Sequence, residues 1–132
     1  MNKLIILIVS LLFLQSCSTI DSVQQQLPSF WDDNQSKKII DIRQSVVNLD
    51  CAQPHLPQVT QIKHEIEWFE LYSTSKKRQY DVLRLISPLK ESVQDFYNRS
   101  SEQQGSKFYC ESKKSILDVQ SKTAADAVLR RF

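Results

Sequence analysis

Among its 132 residues the chain has a single glycine, Gly105. Tight hairpin turns need positive φ and draw on Gly for it. Period-2 runs flanked by such turns are almost absent here. Phosphate-cradling loops and dinucleotide fingerprints need several glycines for tight turns and close backbone approach. Those activities are excluded by composition. Four prolines (Pro28, Pro54, Pro57, Pro88) punctuate a chain otherwise friendly to helix. The expected fold is therefore all-α.

Apolar spacing supports this. Asp32-Asp33-Asn34 offers N-cap candidates and acidic first-turn residues. Ile39, Ile42, Val46 and Leu49 then recur at spacings of 3 and 4, which predicts an amphipathic helix to about Asp50. Pro54 and Pro57 enforce a turn after it. A second stripe runs Val59, Ile62, Ile66, Phe69, Ser73, Lys76, Tyr80, Leu83, with Trp68, Leu71 and Tyr72 widening the face. No Gly or Pro lies between Gln58 and Ser87, so one long helix to Ile86 is expected. A break at Ser73-Thr74-Ser75 is the alternative. Ser87 and Pro88 read as N-cap and first residue of a further helix, with Leu89, Val93, Phe96 and Tyr97 on its apolar face. Asn98 to Gly105 reads as a loop. A last helix is expected from about Ser106 to Leu129, with Cys110, Leu117, Ala124 and Val128 on one face.

The first residues carry a different signal. One cation, Lys3, precedes an 11-residue apolar stretch from Leu4 to Leu14, interrupted only by Ser10. A spanning helix needs about 20 apolar residues, and about 10–14 suits the apolar region of a signal peptide. The stretch closes on Leu14-Gln15-Ser16-Cys17. This resembles the lipobox of bacterial lipoproteins, a Leu, two further residues of which the second is small, then Cys. Leu14, Ser16 and Cys17 fit, whereas Gln15 is an unusual choice at its place. The resemblance covers residues 1–17 alone. It implies a diacylglyceryl group on the Cys17 thiol, cleavage before Cys17 and acylation of the new amine, with palmitate-type chains. It also implies an address. Asp after the Cys favours inner-membrane retention in Gram-negative members of the class, and this chain has Ser18. The implied location is the outer membrane, facing the periplasm.

That resemblance divides the chain into a signal peptide (1–16), a lipid anchor and polar tether (17–29) and one helical domain (30–132). Phe30 and Trp31 are expected to pack on the domain, the alternative being an aromatic pair at the membrane interface. The mature chain of 116 residues carries 16 basic and 15 acidic side chains. This near-neutral balance argues against a nucleic-acid footprint. With Cys17 acylated, Cys51 and Cys110 remain as a pair in an oxidising compartment, which predicts a disulfide. It would tie the end of the first helix to the start of the last, closing a bundle of about four antiparallel helices. Two buried free thiols are the alternative. No CxxC motif is present.

Catalytic signals are sparse. His64-Glu65-Ile66-Glu67-Trp68 begins like a zincin motif, but H-E-x-x-H needs a second His where Trp68 stands. His55, the other histidine, lies in the Pro-rich turn. A metal site shared by His55 and His64 is the one metal-dependent alternative; otherwise His55 is a turn residue and His64, Glu65, Glu67 and Glu70 are a solvated face. No serine sits in a G-x-S-x-G elbow. Lys76-Lys77-Arg78, flanked by Glu70 and Asp81, reads as a solvated basic run, the alternative being a contact with lipid headgroups or peptidoglycan; Arg130-Arg131-Phe132 reads as a helix end with cations favourably near its C-terminus. The core is expected to absorb most of Trp31, Trp68, Phe69, Tyr72, Tyr80, Phe96, Tyr97, Phe108 and Tyr109, any exposed remainder being contact residues. The functional expectation is a non-enzymatic interaction or assembly module without a cofactor. Its partner would be another envelope protein or peptidoglycan. The alternative is a carrier with an enclosed apolar pocket for a small ligand.

Overall fold

The structure, a computed structural model, describes residues 31–76 and 79–131. The expected signal peptide, lipidation site Cys17 and tether, with Phe30, Lys77, Arg78 and Phe132, lie outside the described residues. Four helices follow one another: α1 (Asp33–Val47), α2 (His55–Ser75), α3 (Tyr80–Glu102) and α4 (Lys107–Leu129). Each packs on the next, and α4 packs back on α1. The result is an up-down-up-down bundle closed into a ring, the all-α architecture that the 3,4 spacing implies.

Local chemistry starts and stops each helix. The Asp32 carboxylate accepts the Gln35 N–H at 2.9 Å as the N-cap of α1. After Asn48, the connection to α2 is pinned by one side chain. Gln58 accepts the Asp50 N–H at 2.7 Å and donates to the Asp50 and Pro54 carbonyls. Lys114 of α4 donates to the Leu49 carbonyl at 2.7 Å. The Ser106 hydroxyl caps α4 by accepting the Tyr109 N–H.

Three boundaries differ from expectation. First, the predicted helix through Ile86 is divided: α2 stops at Ser75 and α3 starts at Tyr80. The hydroxyls of Thr74 and Ser75 bond back to the carbonyls of Glu70 and Tyr72, the local competition that weakens a helix end. Second, Pro88 does not start a helix but lies inside α3. The buried row Val82, Ile86, Leu89, Val93 and Phe96 is unbroken across it. Burying that row outweighs the roughly 3 kcal/mol that proline costs in a helix interior. Pro88 is exposed, on the side where water can reach the Arg84 carbonyl deprived of its helical donor. Third, α3 continues to Glu102, so the loop expected from Asn98 shrinks to residues 103–106.

The core holds Ile39, Ile42, Val46 and Leu49 from α1, Val59, Ile62, Ile66 and Phe69 from α2, and matching rows from α3 and α4. Cys51 and Cys110 form a disulfide with their Cα atoms 5.6 Å apart, joining the α1–α2 connection to the first turn of α4. Gly105 earns its place by close approach: a Cβ there would lie 2.7 Å from Cδ1 of Tyr109. That ring packs edge-on against Phe96 beside the disulfide.

Candidate interaction surface

The aromatic expectation is overturned in part. Phe69 and Phe96 are fully buried, but Trp31, Trp68, Tyr80 and Phe108 are exposed, and so is Leu71 at 73%. Trp68 and Leu71 do not widen the core face of α2. At 100° per residue they sit well over 100° from the Ile62–Ile66–Phe69 stripe, and that angle was the signal available in the sequence. Aliphatic residues fill most of the core, with Phe69 and Phe96 the aromatics fully inside it.

On α2 the exposed Trp68 ring is organised with the half-buried Tyr72. Trp68 and Tyr72 stack in parallel, with ring centroids 5.0 Å apart. Lys38 of α1 stands over the Trp68 ring at 5.3 Å and Lys76 over the Tyr72 ring at 5.0 Å, both within the range of a cation–π contact. Beside Trp68 lies an open hollow of about 470 Å³ lined by Lys38, Pro57, Thr60, Gln61, His64 and Glu65. Glu65 is not simply solvated. One of its carboxylate oxygens accepts from Ser45 and Gln61, while the other is buried without a hydrogen bond. Glu67 pairs with Lys63 and Glu70 with Lys90.

The two histidines are not brought together. His55 is the first residue of α2, not a turn residue, and only 2% of it is exposed. Its ring lies 6.0 Å from that of Phe96, and Nε2 lies 3.4 Å from the Cys51 carbonyl. His64 is exposed in the hollow. Nine residues of one helix separate them by about 13 Å along the axis and half a turn around it. One ion cannot reach both.

A second arrangement sits where α1 begins, α2 ends, α3 begins and α4 ends. Gln35 donates to the Ser73 hydroxyl at 2.8 Å and to the Gln79 side-chain oxygen at 3.0 Å. Arg131 donates to the Gln35 side-chain oxygen at 2.8 Å and to the Val128 carbonyl at 3.0 Å. All four residues are buried, so Arg131 is not the solvated cation that its terminal position suggests. Burial pushes the Arg131 guanidinium down from its usual range, against the opposing pull of Asp81 and Asp32. At the rim, burial raises the Asp32 carboxyl, but the Gln35 N–H, Lys76 and Tyr72 outweigh it and hold it below its ordinary value. The Tyr72 hydroxyl and Asp32 raise Lys76 in turn.

Among the described residues, no group of three or more His, Cys, Asp and Glu side chains is placed to hold a metal ion. No described helix is long and apolar enough to cross a membrane. No family of known proteins matches the chain, and no curated protein or solved structure matches it.

Proposed function

We propose that the protein is a lipoprotein anchored through Cys17 in the outer membrane, facing the periplasm, where its helical domain acts as a non-enzymatic interaction or assembly module. The observation that carries the interaction role is the exposed Trp68 ring stacked on half-buried Tyr72, flanked by Lys38 and Lys76 beside an open hollow. Trp and Tyr give large contact area with a polar tip and are enriched at binding hot spots. A ring stack kept at the surface while aliphatics fill the core is chemistry suited to a partner, either another envelope protein or a peptidoglycan strand. The anchor rests on the Leu14-Gln15-Ser16-Cys17 resemblance, and two or more acyl chains on Cys17 would suffice to hold the domain at a membrane.

The test is site-specific crosslinking in intact cells. A photoreactive residue at Gln61 or His64, on the rim of the hollow, is expected to give a discrete adduct that Trp68→Ala abolishes. The same residue at Ser115, exposed on α4, should give none. Equal yields at all three positions would overturn the assignment. The carrier reading calls for an enclosed pocket, whereas the hollow at Trp68 opens to solvent. A small molecule retained in native mass spectrometry would favour that reading instead.

A further inference from the structure

Resting on the lipoprotein reading, we propose that the end of the bundle where the tether enters is a phospholipid-binding surface, with Trp31 and Tyr80 seated at headgroup level. Trp31 lies two residues beyond the tether of residues 17–29. It does not pack into the core: it is 47% exposed, and its ring N–H is held by the Asp33 carboxylate at 2.7 Å. Tyr80 opens α3 and is 60% exposed. Both rings combine an apolar body with a polar tip, the combination that concentrates at membrane–water interfaces.

The two aromatics share one end because of the buried cluster. Gln35 near the start of α1 reaches Ser73 in the last turn of α2 and Gln79 just before Tyr80, and Arg131 beyond α4 closes the set. The same end exposes Lys37, Lys76, Arg84 and Arg130. Its acids are largely engaged. Asp33 holds Trp31, Asp32 takes Gln35 and Lys76, Glu70 holds Lys90, and Asp126 holds Lys122. Lys76 is taken by Asp32 and exposed Asp33 keeps its charge, so what this end offers to a surface is the two rings with Lys37, Arg84 and Arg130, cations suited to anionic headgroups.

Connectivity selects the occupant. Residues 17–30 number 14, a reach of about 50 Å at full extension. An anchor at Cys17 would keep this end within that distance of the bilayer, and the aromatic and cationic side chains supply the orientation. The outer face of α2 with Trp68 is then turned sideways, free for a partner.

Trp31 and Trp68 are the chain's two tryptophans, so Trp68→Phe and Trp31→Phe each leave one reporter. The exported full chain of each variant is reconstituted with phosphatidylcholine–phosphatidylglycerol vesicles containing phosphatidylcholine brominated near its ester groups. Circular dichroism checks the fold, and the mass of the Cys17 peptide reports acylation separately. Trp31 should be quenched about twofold or more relative to Trp68, as an interfacial ring requires. Replacing Arg84 and Arg130 together by Glu should shrink that contrast. Equal quenching of the two tryptophans, or preferential quenching of Trp68, overturns the surface whatever the state of Cys17. An unmodified Cys17 with preferential quenching of Trp31 removes the anchor and leaves the surface standing.

Discussion

Asp32 carries three contacts at once: it caps α1, pairs with Lys76 at 3.1 Å and accepts from the Tyr72 hydroxyl. Its pKa is lowered on folding, so the folded state binds its proton more weakly than the unfolded state does. The stability that follows is complete above the ordinary value of 3.8 and is lost as pH falls through the lower folded value. Acid titration of the unfolding free energy should therefore steepen below about pH 4, and Asp32→Asn should flatten that limb. Arg131 acts in the opposite environment. Arg131→Ala leaves the side-chain oxygen of Gln35 without its Arg131 donor in the core, and a buried acceptor so stranded costs about 1–3 kcal/mol. Urea unfolding measures it, and a loss below about 1 kcal/mol would show that water replaces the guanidinium. Of these residues the sequence announced Asp32, because capping is local. It hid Arg131, Gln35 and Gln79, which are polar residues whose burial depends on four segments meeting.

At the scale of elements, Pro88 sits in the middle of α3 on its exposed side. Pro88→Ala restores a backbone donor and removes a ring that crowds the Arg84 carbonyl. The proline also restricts the unfolded chain, which offsets part of the gain. The expected outcome is stabilisation by about 1–2 kcal/mol, read as a higher urea midpoint at unchanged slope. The helices themselves were legible because Ile39, Ile42 and Val46, or Val59, Ile62 and Ile66, mark their faces by spacing alone. The junctions were less so. Serine and threonine at 73–75 are weak breakers, and whether they end a helix depends on Ser73 meeting Gln35 across the bundle. Pro88 misled for the converse reason, since tertiary burial on both sides overrode a strong local stop. His55 entered α2 two residues before Pro57, a position within the first turn where proline is tolerated.

For the whole molecule, the disulfide closes a loop of 59 residues around α2 and α3. Chain-entropy reasoning gives it about 4 kcal/mol, a large part of the roughly 5–15 kcal/mol typical of a domain. The double variant Cys51→Ser/Cys110→Ser should lose that amount in chemical unfolding while keeping its helical circular dichroism signal. The unreduced wild-type protein should weigh less than the reduced form by two thiol hydrogens. Unchanged stability in the double variant would place the bundle's strength in the core alone. The pairing was legible from cysteine count once Cys17 was set apart. The Trp68–Tyr72 stack was not, because the spacing turns Trp68 away from the buried stripe but does not say which ring it meets.

The position of that disulfide also decides how the domain answers a pull. Both ends of the described chain, Trp31 and Arg131, leave the bundle at the end opposite Cys51 and Cys110. Tension drawn between a membrane anchor and a partner gripping the C-terminus would peel α1 and α4 apart from their free ends. The peeling stops at the sulfur bridge, because the covalent path then runs from Cys51 straight to Cys110. α2 and α3 lie outside that path and bear no load. Reduction would hand them to the force and release about 200 Å of further chain. An intact bridge makes the outer half of the bundle a short, bounded extension and leaves the Trp68 face on an unstretched helix.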